Sequence, residues 1–595
     1  MPRLSSRCAA LALALAFAVF AAQAGTVSRV EIRGLDEAMA ENVRIALSLE
    51  DTIGKTVGDR RLDYLLDVAE EETREALEPF GYYSPKIGVT RSGGDDAIVV
   101  VVDVTPGEPV RVRREDVFIS GEGAADRYLR DELEAFLPAP GEVFTHPQYE
   151  ASKARITRRL AERGYFDADF LSRRVEVTRA DLAADIDLSW ASGDRYDMGE
   201  VSFAQEPASI IRPQLLDKLV YWEEGDYYHQ GRLDRLRQSL VALDYFSRID
   251  IDPQPDKAAD LRVPVQVTLT PAKRSVYNLG ASFGTDSGAG LTAGIERRYL
   301  NSRGHKALAQ LDYAQNRKTL TLQYRVPAFM WLDGWYTASL QAADEQTDYI
   351  DTRRLEFVAS RSGQINPYLT AIASVHALRE RWAYAGNQTG RGSPLYAYAT
   401  YVFPSLRAEY MDADDPLFPR NGLGGTLMLR GGAEGAGSDA SFAQVHASAR
   451  WFKGLGPRNR LLVRGELGQT WTNALVQIPP SLRFYAGGDR SIRGYGWREV
   501  GPRIAGTIQG RRYAIGAKNV ATGSIEFERY FTPAWGAAIF IDSGSAFDDK
   551  PDWHTGVGIG ARWRSPVGPV RIDIARGLNR PDSAFQIYIG LGAEL

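Results

Sequence analysis

The strongest constraint on this chain is a strict two-residue alternation near its C-terminus. Between Trp553 and Arg564 one set of alternate residues is Trp553, Val557, Ile559, Ala561 and Trp563. The other is His554, Gly556, Gly558, Gly560, Arg562 and Arg564. Val570, Ile572 and Ile574 then alternate with Arg571 and Asp573, and Phe585, Ile587, Ile589, Leu591 and Leu595 with Gln586, Tyr588, Gly590, Gly592 and Glu594. A period of two is that of a β-strand. A soluble sandwich also alternates, but its polar face meets bulk water. Here the polar face is crowded with glycine and charge, while the apolar face carries Trp at strand ends, the pattern of a membrane-facing wall with an interfacial girdle. Beyond the N-terminal leader no stretch approaches the ~18 uncharged apolar residues of a membrane helix, and only helices and closed barrels satisfy every backbone group in lipid. A membrane-embedded fold is therefore a barrel.

Segments of about ten residues with this alternation, separated by Gly, Asn, Asp and Pro, recur from Ser275 to Leu595 and add up to about sixteen antiparallel strands. The barrel is expected over 273–595, with one long connection at about 473–515. At the other end, Arg3 and Arg7 precede an apolar run from Ala9 to Ala22 and the small-residue exit Ala22-Gln23-Ala24. These are the parts of a secretory signal peptide, expected over 1–24.

Cys8, the sole cysteine, lies inside that leader, so the mature chain is expected to have no disulfide, thiol nucleophile or Cys metal site. The six histidines are scattered without ligand spacing, and neither metal nor cofactor is expected. A net charge of −5 argues against a nucleic-acid partner. Gly556-Val557-Gly558-Ile559-Gly560 has the period of a strand rather than of a nucleotide turn, and no phosphate loop is present. No catalytic residues are assigned, and the chain is not expected to be an enzyme.

The N-terminal half repeats. Gly81-Tyr82-Tyr83 returns as Gly164-Tyr165-Phe166 and, more loosely, as Asp244-Tyr245-Phe246, about 80 residues apart. Each copy ends a helical pattern. In the second, Tyr149, Ala154, Ile156, Leu160 and Ala161 fall at helical spacing before Gly164; in the third, Leu233, Leu236, Leu240 and Leu243 do the same. A β-like segment precedes each helix pair (Val27 to Arg33, Val110 to Ser120, Tyr196 to Ala204) and two follow it. The chain thus reads as three α+β modules of order β-α-α-β-β, over 25–106, 107–192 and 193–272, in front of the barrel. That order, with its aromatic step, resembles the POTRA domain.

Within the long connection stands Gly487-Gly488-Asp489-Arg490-Ser491-Ile492-Arg493-Gly494-Tyr495. In Ser524-Ile525-Glu526-Phe527, lipid-facing Ile525 and Phe527 turn Glu526 inward. The same parity in Ile539-Phe540-Ile541-Asp542 turns Asp542 inward. The connection resembles loop six of the Omp85 superfamily, whose [IV]-R-G-[FY] segment folds back into the lumen. Ile492, Arg493, Gly494 and Tyr495 match all four positions, and Asp414 to Gly422 is similar to a periplasmic turn of that family. The resemblance implies a lumen latch in which Arg493 pairs with Glu526 and Asp542, Gly494 passes close to the wall and Tyr495 packs.

Three modules, together with the ending Gly590 to Leu595, resemble the TamA family, outer-membrane subunits of the translocation and assembly module. That implies an outer-membrane barrel of Gram-negative bacteria with periplasmic modules, and a TamB-like inner-membrane-anchored partner docking on the first module. It implies unfolded outer-membrane proteins, autotransporters among them, as clients. The first and last strands are expected to form a weak seam, loosened at Gly590 and Gly592. The alternative is a two-partner-type protein secretion pore.

Overall fold

The computed structural model describes residues 24–94, 97–284, 288–328, 332–347, 350–384, 394–505, 512–566, 568–579 and 585–591. The leader, up to residue 23, lies outside them, as do Gly592 and Leu595. No described helix is long and apolar enough to cross a membrane.

The first module contains β1 (Ala24–Arg33), β2 (Thr56–Gly58), β3 (Lys86–Ser92) and β4 (Ile98–Thr105), with helices Glu37–Ala46 and Asp59–Leu77. Its sheet runs β2-β1-β4-β3; β1 pairs parallel to β4, and the short β2 is an edge strand beyond the expected order. The helices bury Val43, Leu62, Leu65 and Leu77 on Ile98, Val100 and Val102. The second module has β5 (Arg111–Ser120), β6 (Asp169–Thr178) and β7 (Ala183–Ala191) in the order β5-β7-β6, with helices Arg127–Glu134 and His146–Glu162. Tyr149, Ile156 and Leu160 are buried as their spacing predicts, but Ala154 and Ala161 are exposed. Ser152 takes the inward place, because its hydroxyl can accept the Leu137 amide at 3.0 Å. The third module has β8 (Asp197–Gln205), β9 (Phe246–Pro253) and β10 (Arg262–Pro271) in the order β8-β10-β9, with helices Pro213–Leu216 and Gln230–Ala242.

The repeated tripeptide has one backbone cause. Gly81 (φ 92°) and Gly164 (φ 91°) leave their helices in the left-handed region, and Asp244 (φ 54°) does so in the third copy. Asp is among the few residues that tolerate this conformation, so the looser third copy keeps the geometry. The step then meets the next segment of chain. The carbonyl of Gly81 accepts the Val110 amide (2.8 Å), that of Gly164 the Tyr196 amide (2.9 Å), and that of Tyr245 the Ala272 amide (2.8 Å).

Two compact units emerge. One runs to Ser202 and adds Trp222–Asp234 and Asp252–Val265; the other comprises Phe203–Tyr221, Arg235–Ile251 and Gln266–Leu595. The division passes through the third module.

The barrel is a 16-stranded antiparallel sheet in sequence order. Its first half is β11 (Ser275–Gly284), β12 (Gly288–Arg297), β13 (Lys306–Ala314), β14 (Arg317–Pro327), β15 (Leu332–Gln346), β16 (Ile350–Asn366), β17 (Leu369–Tyr384) and β18 (Ala397–Ala413). The second half begins with β19 (Gly422–Gly432), β20 (Phe442–Gly454) and β21 (Asn459–Trp471). A small hairpin, β22 (Arg503–Ala505) and β23 (Arg512–Ala514), interrupts it outside the wall, and β24 (Asn519–Tyr530), β25 (Trp535–Phe547), β26 (His554–Ser565), β27 (Gly568–Gly577) and β28 (Gln586–Leu591) complete it. The count and the antiparallel order are those the alternation predicts. Ile525, Ile539, Ile541, Ile559, Ile572, Ile574 and Ile587 point outward, while Glu526, Asp542, Arg562 and Asp573 are buried on the inner face.

Candidate functional site

Between β21 and β24 the connection takes residues 472–518, somewhat more than the 473–515 the sequence suggests, and its segment from Phe484 to Val500 packs against the wall. Ile492 and Tyr495 are buried with Phe484, Ala486, Val500, Ala517, Val520 and Ala546, a small apolar core between the loop and the wall. At its tip Arg493 is 3% exposed. Its Nε and Nη2 donate to the two oxygens of Asp542 at 2.7 and 3.0 Å, a bidentate fork, and its backbone amide donates to the same carboxylate at 2.9 Å. Nη1 donates to Glu526 (2.7 Å) and Asp573 (2.9 Å), Nη2 to the Ser524 hydroxyl (3.3 Å), and the guanidinium lies 3.3 Å from the Phe540 ring centre.

The structure therefore brings together Arg493, Glu526 and Asp542, and adds residues that a reading of single strands does not connect. Arg562 links Glu526, Glu528 (2.8 Å) and Asp573 (2.5 Å). Arg460 bonds Glu528 (2.5 Å), and Arg464 donates to the carbonyls of Asp489 (3.1 Å) and Ser491 (3.0 Å) and reaches Asp542 at 3.4 Å. Four guanidiniums thus face four carboxylates. Their number matters because an unpaired charge in a closed lumen costs several kcal/mol, whereas a matched, hydrogen-bonded set offsets most of its own desolvation. The parity that exposes Glu526 and Asp542 to the lumen also turns Glu528, Arg562 and Asp573 inward, so the signal for them was present. What the sequence lacks is the lateral register, such as Ser524 opposite Asp542 and Asp573 opposite Tyr588.

Gly494 (φ 96°) passes so close to β27 that an added Cβ would lie 2.5 Å from the Arg576 carbonyl carbon. Its amide donates to the Tyr588 hydroxyl (2.9 Å), which in turn donates to the Tyr495 carbonyl (2.7 Å). Tyr495 donates to the Thr555 carbonyl (3.2 Å) and stands edge-on to His554. Across the wall, the alternating glycines of β26 have a steric purpose. A side chain at Gly556 would strike the Arg493 carbonyl, one at Gly558 the Phe540 ring, and one at Gly560 the Asp573 carboxylate. Gly556 meets the loop itself, and Gly558 and Gly560 leave room for Phe540 and Asp573, the wall side chains that contact Arg493.

The charge chain continues downward. Arg460 donates to the Pro419 carbonyl (2.7 Å), and Phe418 is held between Arg460 and Arg564, 3.9 and 3.6 Å from its ring centre. Asp414 fastens this turn by accepting the amides of Arg420 (2.8 Å) and Asn421 (3.0 Å). At the seam, β11 and β28 lie side by side, yet among the described residues no ladder pairing joins them. Gly590 sits opposite Arg571, and a Cβ there would come no nearer than 3.5 Å to any described atom. Gly592 lies outside the described residues.

Comparison with known proteins places this geometry. Residues 300–594 match the Omp85 superfamily domain, residues 29–106 the model described as POTRA domain TamA domain 1, and residues 112–189 a POTRA model described as surface antigen variable number repeat. The outer membrane protein assembly factor BamA of Neisseria meningitidis serogroup B is 22% identical over 583 residues, 87% of this chain and 71% of that protein. The factor of the same name from Nitratidesulfovibrio vulgaris is 22% identical over 399 residues, and the match spans about half (48%) of its length and 62% of this chain. The crystal structure of Haemophilus ducreyi BamA lacking POTRA domains 1–3 superposes with a TM-score of 0.64 at 15% identity, covering 81% of this chain and 99% of that one, a likeness of fold. The barrel of this chain belongs to the Omp85 superfamily, and the chain is an outer-membrane β-barrel protein with periplasmic POTRA modules.

Proposed function

We propose that this protein is an outer-membrane assembly factor of the TamA type. It assists the insertion or translocation of autotransporters and other outer-membrane proteins, and a TamB-like periplasmic partner docks on its first module. The observation that carries this reading is the contrast at the seam: β28 pairs with β27 over Val570–Leu591 to Ala575–Gln586, but has no ladder with β11 among the described residues. An edge strand with open N–H and C=O groups can accept another strand, and in a membrane that acceptor is valuable because lipid offers none. Gly590 supports the reading, since no described neighbour crowds that position and its flexibility is free to loosen the strand. The Arg493–Glu526/Asp542 latch holds the loop in the lumen while the seam opens, which argues against a permanently open secretion pore. The match of residues 29–106 to a TamA-type first module favours a TamA-like over a BamA-like assignment.

The test uses the scarcity of cysteine, Cys8 alone in the sequence. A cysteine pair placed across β11 and β28 and oxidised in cells abolishes client insertion, and reduction restores it. Full client insertion with the seam tethered would refute the proposal.

A further inference from the structure

The lipid-facing side of the first half of the wall, over β13 to β18, carries a row of charges that neither the latch nor the seam uses. Cross-strand register aligns Tyr313, Lys318, Asp344, Arg353, Arg381 and Tyr398 across β13 to β18. These residues share the outward face with Leu311, Leu320, Leu355 and Arg379 of the row beneath. That lower row is exposed, as are Arg353 and Tyr398 above it. Because β11 leaves the periplasmic modules, the β13–β14 and β15–β16 connections are extracellular, and Tyr313, Lys318, Asp344 and Arg353 stand within four residues of them. The next outward guanidinium down the same strand is Arg361, eight residues from Arg353 and packed over Tyr336 at 4.8 Å. With ~3.4 Å per residue and a tilt of about 40°, the apolar band between them is roughly 20 Å tall, close to the ~25 Å of an outer-membrane barrel. The row therefore sits at the headgroup level of the outer leaflet.

Its charges are poorly matched within the protein. Arg353 pairs with Asp344 (2.9 Å), and Asp351 accepts the Tyr396 hydroxyl (2.5 Å). Lys318 lies over the Tyr313 ring (5.2 Å) and Arg381 over Tyr396 (4.4 Å), but among the described residues neither forms an ion pair, nor does Arg379. The Arg381 Nε is buried without an acceptor. The side chains enclose a shallow depression of about 530 Å³ with a leucine and alanine floor. Lys318, Arg353, Arg379 and Arg381, with Asp344, over an apolar floor, in a chain of net charge −5, form a surface shaped for an amphiphile with an anionic head. Arginine favours phosphate because its planar fork bonds two oxygens at once.

We infer that the cations Lys318, Arg353, Arg379 and Arg381 bind the phosphorylated headgroup of an outer-leaflet glycolipid, whose acyl chains lie on Leu320 and Leu355. The site anchors the wall at β14 to β17.

The experiment measures lipid retention by native mass spectrometry on the full-length protein in detergent, with bisphosphorylated lipid A, dephosphorylated lipid A and phosphatidylglycerol as probes. Lipid A is retained selectively, and K318Q/R379Q/R381Q weakens its binding by roughly 100-fold, as expected for three cations at a charged lipid surface. Undiminished binding by the variant, or equal retention of dephosphorylated lipid A, overturns the site. Equal retention of phosphatidylglycerol overturns the glycolipid assignment. If the triple variant does not insert, R379Q alone, which breaks no internal ion pair, lowers affinity by about fivefold, and no change overturns the proposal.

Discussion

On one side of the barrel β15, β16, β17 and β18 run for 15, 17, 16 and 17 residues, and their ladders pair over nearly the whole length. On the other, β27 has ten residues and the described part of β28 six. The tall wall holds itself, since every added residue pair contributes backbone hydrogen bonds that lipid cannot replace. The short wall has fewer such bonds and is braced from within, by a loop tip whose guanidinium reaches β24, β25 and β27 at once and whose backbone is tied to β28 through Tyr588. A barrel can thus keep one side rigid and one side yielding with the same strand chemistry, provided a removable element stiffens the yielding side.

Substitutions can break that comparison. The largest effect is expected from Arg493→Ala, which strands Asp542, Glu526 and Asp573 without their shared cation. Destabilisation of about 3–5 kcal/mol is expected. It reads out as a lowered urea midpoint and rapid proteolysis within 487–500, with the ladders of β15 to β18 unchanged by hydrogen exchange. Equal loss of protection on both walls would show that the loop braces the whole barrel. Gly494→Ala combines a left-handed backbone with a clash against Arg576 and should cost about 2–4 kcal/mol by the same urea titration. Tyr588→Phe removes one hydroxyl that both accepts from Gly494 and donates to Tyr495. About 1–2 kcal/mol should be lost, with faster amide exchange at Gly494 as the specific sign. On the tall wall, Arg407→Ala breaks a partly exposed pair with Glu409 (2.7 Å) and should shift the midpoint by less than about 1 kcal/mol. A larger shift there would sharpen the picture by showing that the tall wall too depends on side-chain ion pairs.

Much of this architecture was legible in the sequence because period two survives wherever one strand face meets lipid. Parity alone placed Ile525 and Ile539 outside and Glu526 and Asp542 inside. The three modules were legible through a helix stop followed by aromatics, and the third copy obeyed because Asp244 adopts the conformation glycine takes in the other two. Less was legible at Ala154 and Ala161, whose small side chains satisfy a helical pattern while contributing little drive to be buried; Ser152, with a hydroxyl that finds the Leu137 amide, was buried in their place. The edge strand β2, three residues long, is too short for any periodicity to show.

The site divides along the same line. Local chain chemistry determined which side chains enter the lumen, because alternation is a property of a single strand. Which of them meet was decided by register between strands and by the path of the loop across them, interactions between residues as far apart as Arg493 and Asp573. The four-to-four balance of charge, the room left by the glycines of β26 and the cation row outside β14 to β17 exist only once neighbouring strands are aligned. A one-residue slip would leave every strand's own pattern intact and destroy all three.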